Sequence, residues 1–62
     1  MNPEFLSEVY RLNAKGKTQK QIAAITKFSL SYVCTALGRL RKQHGAKNNI
    51  QLALIYWDIS YE

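Results

Sequence analysis

The sequence predicts an all-α fold of four helices, and three observations carry that prediction. No segment alternates polar and apolar residues as a half-buried strand would. Apolar residues instead recur three and four apart, the spacing of one helix face. Stop and start residues punctuate the chain at Gly16, at Phe28-Ser29 and at Gly45. The predicted helices cover about 3–15, 18–26, 29–44 and 48–59, all within a single domain, 1–62.

The first helix opens at Pro3, whose fixed φ suits a helix start, with Glu4 and Glu8 complementing the positive end of the dipole. Phe5, Leu6, Val9, Tyr10 and Leu12 supply its apolar face, and Gly16 ends it after Lys15. The second helix begins with Thr18-Gln-Lys-Gln21, a capping box in which each end satisfies the other's free amide. Ile22, Ala23 and Ile25 give it a short apolar face, and it stops near Thr26 or Lys27. Phe28 is expected as a buried turn residue and Ser29 as the cap of the third helix.

Leu30, Val33, Leu37 and Leu40 form the core stripe expected of the third helix, which Gly45 ends after His44. The fourth helix starts at Asn48 or Asn49 and is apolar nearly all round. One stripe is Ile50, Ala53, Leu54 and Trp57; the other is Leu52, Ile55, Tyr56 and Ile59. One must face the core, and the sequence leaves open which. The other is expected against a second subunit or partner, since a single helix has only one core face.

A chain of 62 residues has room for one small core, burying roughly 60% of its unfolded surface. The single cysteine, Cys34, provides no disulfide, and no ligand cluster suggests zinc. Oligomerisation is the remaining way to stabilise so small a domain. A lone thiol fits a reducing cytoplasm. The absence of a leader pattern, and of any apolar run near ~20 residues, predicts no membrane role.

The charge distribution points to a partner. Glu4 and Glu8 open the chain, Asp58 and Glu62 close it, and nothing between is acidic. All nine basic residues lie in that acid-free stretch: Arg11, Lys15, Lys17, Lys20, Lys27, Arg39, Arg41, Lys42 and Lys47. A net charge of +5 concentrated in this way suits a polyanion, and duplex DNA first, because neutralised phosphates release counterions. The bland counterpart is solubility alone.

A short helix, a brief turn and a second helix with a basic flank also describe a helix-turn-helix, here the second and third helices. Short side chains, Ser31, Cys34 and Thr35, occupy the exposed N-terminal turns of the third helix, where base edges would be reached. From Gly16-Lys-Thr-Gln-Lys-Gln-Ile22-Ala23 through Phe28-Ser29, Val33, Leu37 and Leu40 to Gly45-Ala-Lys-Asn48-Asn-Ile-Gln51-Leu-Ala53, the chain resembles the LuxR/GerE-type DNA-binding domain. Glu8-Val9 is similar to the family's glutamate–hydrophobic pair, so the resemblance covers nearly the whole chain. It implies a third helix in the major groove, a fourth helix paired with a second subunit, and a free-standing member without sensor or receiver domain.

Several positions depart from the family pattern. Tyr32 stands where threonine is usual, Cys34 and Gly38 where lysine is common, and His44 where leucine is usual. Gly38 costs about 1 kcal/mol of helix propensity relative to alanine and offers no contact. Tyr32 either meets phosphate or packs against the second helix. For Cys34 the ordinary reading is a small exposed residue rather than a nucleophile. For His44 it is a favourable charge at a helix C-terminus rather than a ligand.

The resulting expectation is a bacterial or mobile-element transcriptional regulator that binds double-stranded DNA as a homodimer. Phosphate contacts are assigned to Lys17, Lys20, Ser29, Tyr32, Arg39, Arg41 and Lys42, and base contacts to Ser31, Cys34 and Thr35. The dimer or partner interface is assigned to Leu52, Leu54, Ile55, Tyr56, Trp57 and Ile59. No enzyme, metal or cofactor is expected, because no catalytic constellation or phosphate-cradling glycine loop is present. The alternative is an anti-activator, a protein-interaction module that pairs through its fourth helix with a full-length LuxR-type regulator and blocks it.

Overall fold

Capping chemistry sets the start of every helix in the computed structural model, which describes the backbone of residues 1–61 and the side chains of residues 1–58. Helix α1 spans Pro3–Ala14 and is capped by Asn2, whose Oδ1 accepts from the Glu4 amide at 2.8 Å. Its end is a Schellman closure: Gly16 is left-handed at φ 88°, and the Lys17 amide donates back to the Leu12 carbonyl at 3.1 Å.

Helix α2, Gln19–Thr26, carries the complete capping box. Thr18 Oγ1 accepts from the Gln21 amide at 3.2 Å, and the Thr18 amide donates to Gln21 Oε1 at 2.9 Å. It terminates at Lys27, which is left-handed at φ 63° without being glycine. Helix α3, Leu30–His44, is capped by Ser29, whose Oγ accepts from the Tyr32 amide at 3.1 Å. Gly45 is left-handed at φ 72° and ends it as expected. Helix α4 spans Asn49–Tyr61, with Asn48 Oδ1 accepting from the Gln51 amide at 2.7 Å.

The fold is all-α, with four helices and no strand among the described residues. Helix α1 is the central element and packs against all three others, while α3 also packs against α2 and α4. The core consists of Phe5, Val9 and Leu12 from α1, Ile22 from α2, Val33, Ala36, Leu37 and Leu40 from α3, and Leu52 from α4. At about 25 cal/mol per Å² of apolar surface, this small cluster is the main stabilising term. Among the described residues no helix is long and apolar enough to cross a membrane.

Two core expectations need correction. Leu30 is 42% exposed, because it stands at the very first position of α3, where the buried stripe runs out. Phe28 is not buried but 48% exposed. Phe5 holds the buried position, and Phe28 leans on it from outside with ring centroids 4.6 Å apart.

The open question about α4 is answered by burial. Leu52 is fully buried and Ile55 and Tyr56 are half-buried, whereas Ile50, Leu54 and Trp57 are exposed. Leu52, an interface candidate, is therefore a residue of the domain's own core. Tyr56 likewise packs inward, its ring edge-on to Tyr10 at 4.9 Å. The side chain of Ile59, another interface candidate, lies outside the described residues.

Candidate nucleic-acid interface

The candidate phosphate ligands come from two elements. Lys17 and Lys20 flank the start of α2, and Arg39, Arg41 and Lys42 lie in the C-terminal half of α3. Lys17, Lys20, Arg39 and Lys42 are exposed. Arg41 is half-buried, and its guanidinium donates to Asn49 Oδ1, a neutral partner that leaves its charge uncompensated. Arg11–Glu8 is the one ion pair among the described residues, so the cationic middle of the chain keeps its field.

Ser29 and Tyr32 have structural duties as well. The Ser29 hydroxyl oxygen caps α3, with its own O–H still available. The Tyr32 ring stacks on Phe5 at 4.9 Å and on Phe28 at 5.1 Å. The packing role open to Tyr32 thus finds ring partners in α1 and the turn before α3.

The three candidate base readers are not equivalent. Ser31 and Thr35 are exposed on the side of α3 away from the core, and the Thr35 hydroxyl donates to the Ser31 carbonyl at 3.0 Å. Cys34 is half-buried and turned toward α2, its Sγ lying 3.1 Å from Gln19 Oε1 as a weak thiol donor. It joins α2 to α3 more than it faces outward. His44 lies in the last turn of α3, with its ring 4.7 Å from that of Tyr10.

Sequence reading missed the residues that hold α4 in place. Asn13 is 8% exposed, and its Nδ2 donates to the Asn49 carbonyl at 2.9 Å. The indole Nε1 of Trp57 donates to the Ala14 carbonyl at 2.8 Å. Asn13 occupies the i+4 position from Val9 on the buried face of α1, so a polar residue in an apolar row was the available signal. An open cleft of about 380 Å³ lies beside this junction, lined by Asn13, Gly16, Lys17, Thr18, Asn49 and Ile50 among others.

The outward row of α4 is apolar: Ile50 is 76% exposed, Leu54 64% and Trp57 43%. Trp57 combines a hydrogen-bonded indole edge with an exposed ring surface. Spaced four and three residues apart, these three side chains share one side of α4. No protein-family model, curated protein or solved structure matches the chain.

Proposed function

We propose that this chain is a LuxR-type, DNA-binding transcriptional regulator that docks α3 in the major groove and dimerises through α4. The observation that carries the reading is the exposed, uncompensated cation set on the α2–α3 pair. Lys17 and Lys20 stand at one helix start, and Arg39 and Lys42 follow the exposed turns of α3. Helices α2 and α3 are joined by a turn of residues 27–29, which suits a helix-turn-helix. In that arrangement the first helix braces across the backbone and the second enters the groove. Arg39, Arg41 and Lys42 then bind phosphate beyond the reading turns, and Ser31 and Thr35 approach base edges.

The dimer surface in this reading is Ile50, Leu54 and Trp57. A second copy placed on that row covers its exposed apolar area and sets two reading helices at a fixed separation, matching a site with two half-sites. A salt-titrated gel shift on random-sequence duplex DNA, with a sizing run alongside, tests both parts. Binding that falls steeply with salt, together with a dimer mass, supports the reading. A monomer with no affinity for duplex at low salt ends it.

A second reading is favoured by one observation, the exposure of Ile50, Leu54 and Trp57 on a domain whose reading turns carry no cation. In that case the chain pairs with a larger LuxR-type regulator through α4 and removes it from DNA. The sizing run separates the two readings. An anti-activator shows little DNA affinity alone and forms a mixed complex when such a regulator is added.

A further inference from the structure

We infer that α3 reads thymine through its C5-methyl group, with Thr35 as the reading residue, so that the preferred half-site is rich in A·T pairs. This rests on the docking of α3 in the major groove proposed above.

Each base pair shows the major groove a distinct pattern, and each pattern has suitable side chains. Arginine or lysine grips guanine, asparagine or glutamine grips adenine, an acidic residue accepts from cytosine, and an apolar group meets the thymine methyl. From Leu30 to Gly38 the chain reads Leu-Ser-Tyr-Val-Cys-Thr-Ala-Leu-Gly, with none of the first three kinds. Arg39 is the first cation of α3, and it and Lys42 follow the reading turns, where phosphate contact carries no sequence information.

The geometry narrows the choice further. The row facing away from the core runs Ser31, Thr35, Gly38 and Lys42. Thr35 has committed its hydroxyl hydrogen to the Ser31 carbonyl at 3.0 Å, so it has no donor left for guanine. That bond also draws the hydroxyl back along the helix, leaving on this exposed side chain an oxygen that can only accept and a methyl free to meet an apolar group. Cys34 is occupied with Gln19 on α2. Ser31 both donates and accepts, and so discriminates little.

The test removes the methyl from the DNA and, separately, from the protein. Duplexes selected from a randomised pool at low salt are remade with deoxyuridine for thymidine, which deletes the methyl and keeps every pairing edge. The expected result is A·T enrichment among selected duplexes and a loss of about fourfold in affinity per contacted methyl in the uridine copies. Thr35→Ser, which keeps the hydroxyl, should abolish that difference without changing the salt slope, and Thr35→Val should preserve it. Equal affinity for both copies, a pool with no A·T enrichment, or an undiminished difference in Thr35→Ser overturns the inference while DNA binding stands. A pool from which no duplex is retained overturns the DNA-binding reading and this inference together.

Discussion

The side-chain amide of Asn13 donates to the main-chain carbonyl of Asn49 at 2.9 Å, tying the last turn of α1 to the first turn of α4. Asn49 also accepts from the Arg41 guanidinium through its own side chain. One residue thus joins three helices at the place where the chain turns into its most apolar element. Asn13 is buried and Asn49 half-buried, so the bond is partly shielded from competing water and its loss is felt. Asn13→Ala should cost about 1–2 kcal/mol, measured by urea unfolding. A change within roughly 0.5 kcal/mol, the range of ordinary surface substitutions, would show that α4 is held by apolar packing alone.

Much of the fold is legible in the sequence because helix ends are local. Thr18 and Gln21 form their box, Ser29 caps and Gly45 terminates as read, each within a few residues of its partner. Val33, Leu37 and Leu40 are buried for the same reason, since periodicity reports a face directly. The orientation of α4 was not legible. A helix apolar nearly all round has no preferred side until something packs on it, and Asn13, Ala14 and Arg41 fix that side from distant positions. Leu30 and Phe28 failed as core residues because both sit at an element boundary, where a neighbour such as Phe5 decides which side chain is covered. The candidate site divides in the same way. The exposure of Ser31, Thr35, Arg39 and Lys42 follows from helical phase, while the Cys34–Gln19 contact needed the packing of α2 on α3.

The phosphate assignment predicts a graded salt response. Replacing Arg39, Arg41 and Lys42 together by alanine should flatten the plot of log affinity against log salt by about 0.9 per lost contact. Arg41→Ala alone should also lower stability, because its guanidinium bonds Asn49. Arg39→Ala and Lys42→Ala, both exposed, should leave stability near wild type. An unchanged slope in the triple variant removes these cations from the interface.

Tyr10 predicts a response to alkali. Its hydroxyl is buried without a hydrogen-bond partner among the described residues. Burial first, and then the Tyr56 phenol beside it, raise its pKa above the usual 10.0. The folded state therefore holds this proton at a pH where the unfolded chain has begun to release it. Its contribution is fully present below about pH 10 and is lost as pH climbs from there through the raised folded-state value. Tyr10→Phe removes both the titration and the unpartnered hydroxyl. It should match or exceed wild-type stability by up to about 1 kcal/mol at neutral pH and lose less above pH 10. Parallel stability curves for the two proteins across that range would contradict this account.

Gly38 is the most accommodating place to strengthen α3, the helix proposed to enter the groove. A Cβ built there meets only the Arg41 guanidinium at 3.7 Å, an ordinary contact. Gly38→Lys should stabilise the domain by about 0.5–1 kcal/mol through helix propensity. It should also steepen the salt slope by about 0.9 if the new cation reaches phosphate. A variant that folds better but binds duplex DNA no more tightly would place this side of α3 outside the groove.

The two sides of α4 should respond oppositely to the same substitution. Leu52 is fully buried in the core, and a lysine there places an unpaired charge among Val9, Leu37 and their neighbours. Small domains of this size carry about 3–5 kcal/mol of stability, and a buried unpaired charge costs a comparable amount. Leu52→Lys should therefore be unfolded at room temperature by circular dichroism. Leu54 is 64% exposed on the opposite row, so Leu54→Lys should keep the helical spectrum and the thermal midpoint of wild type. Its effect should appear only on association: a monomer by sedimentation, with DNA binding weakened because two half-sites are no longer engaged together. If wild type is itself monomeric at high micromolar concentration, and Leu54→Lys binds both DNA and any LuxR-type partner as wild type does, the outward row of α4 is not an interface. The homodimer and the anti-activator complex would then fall together.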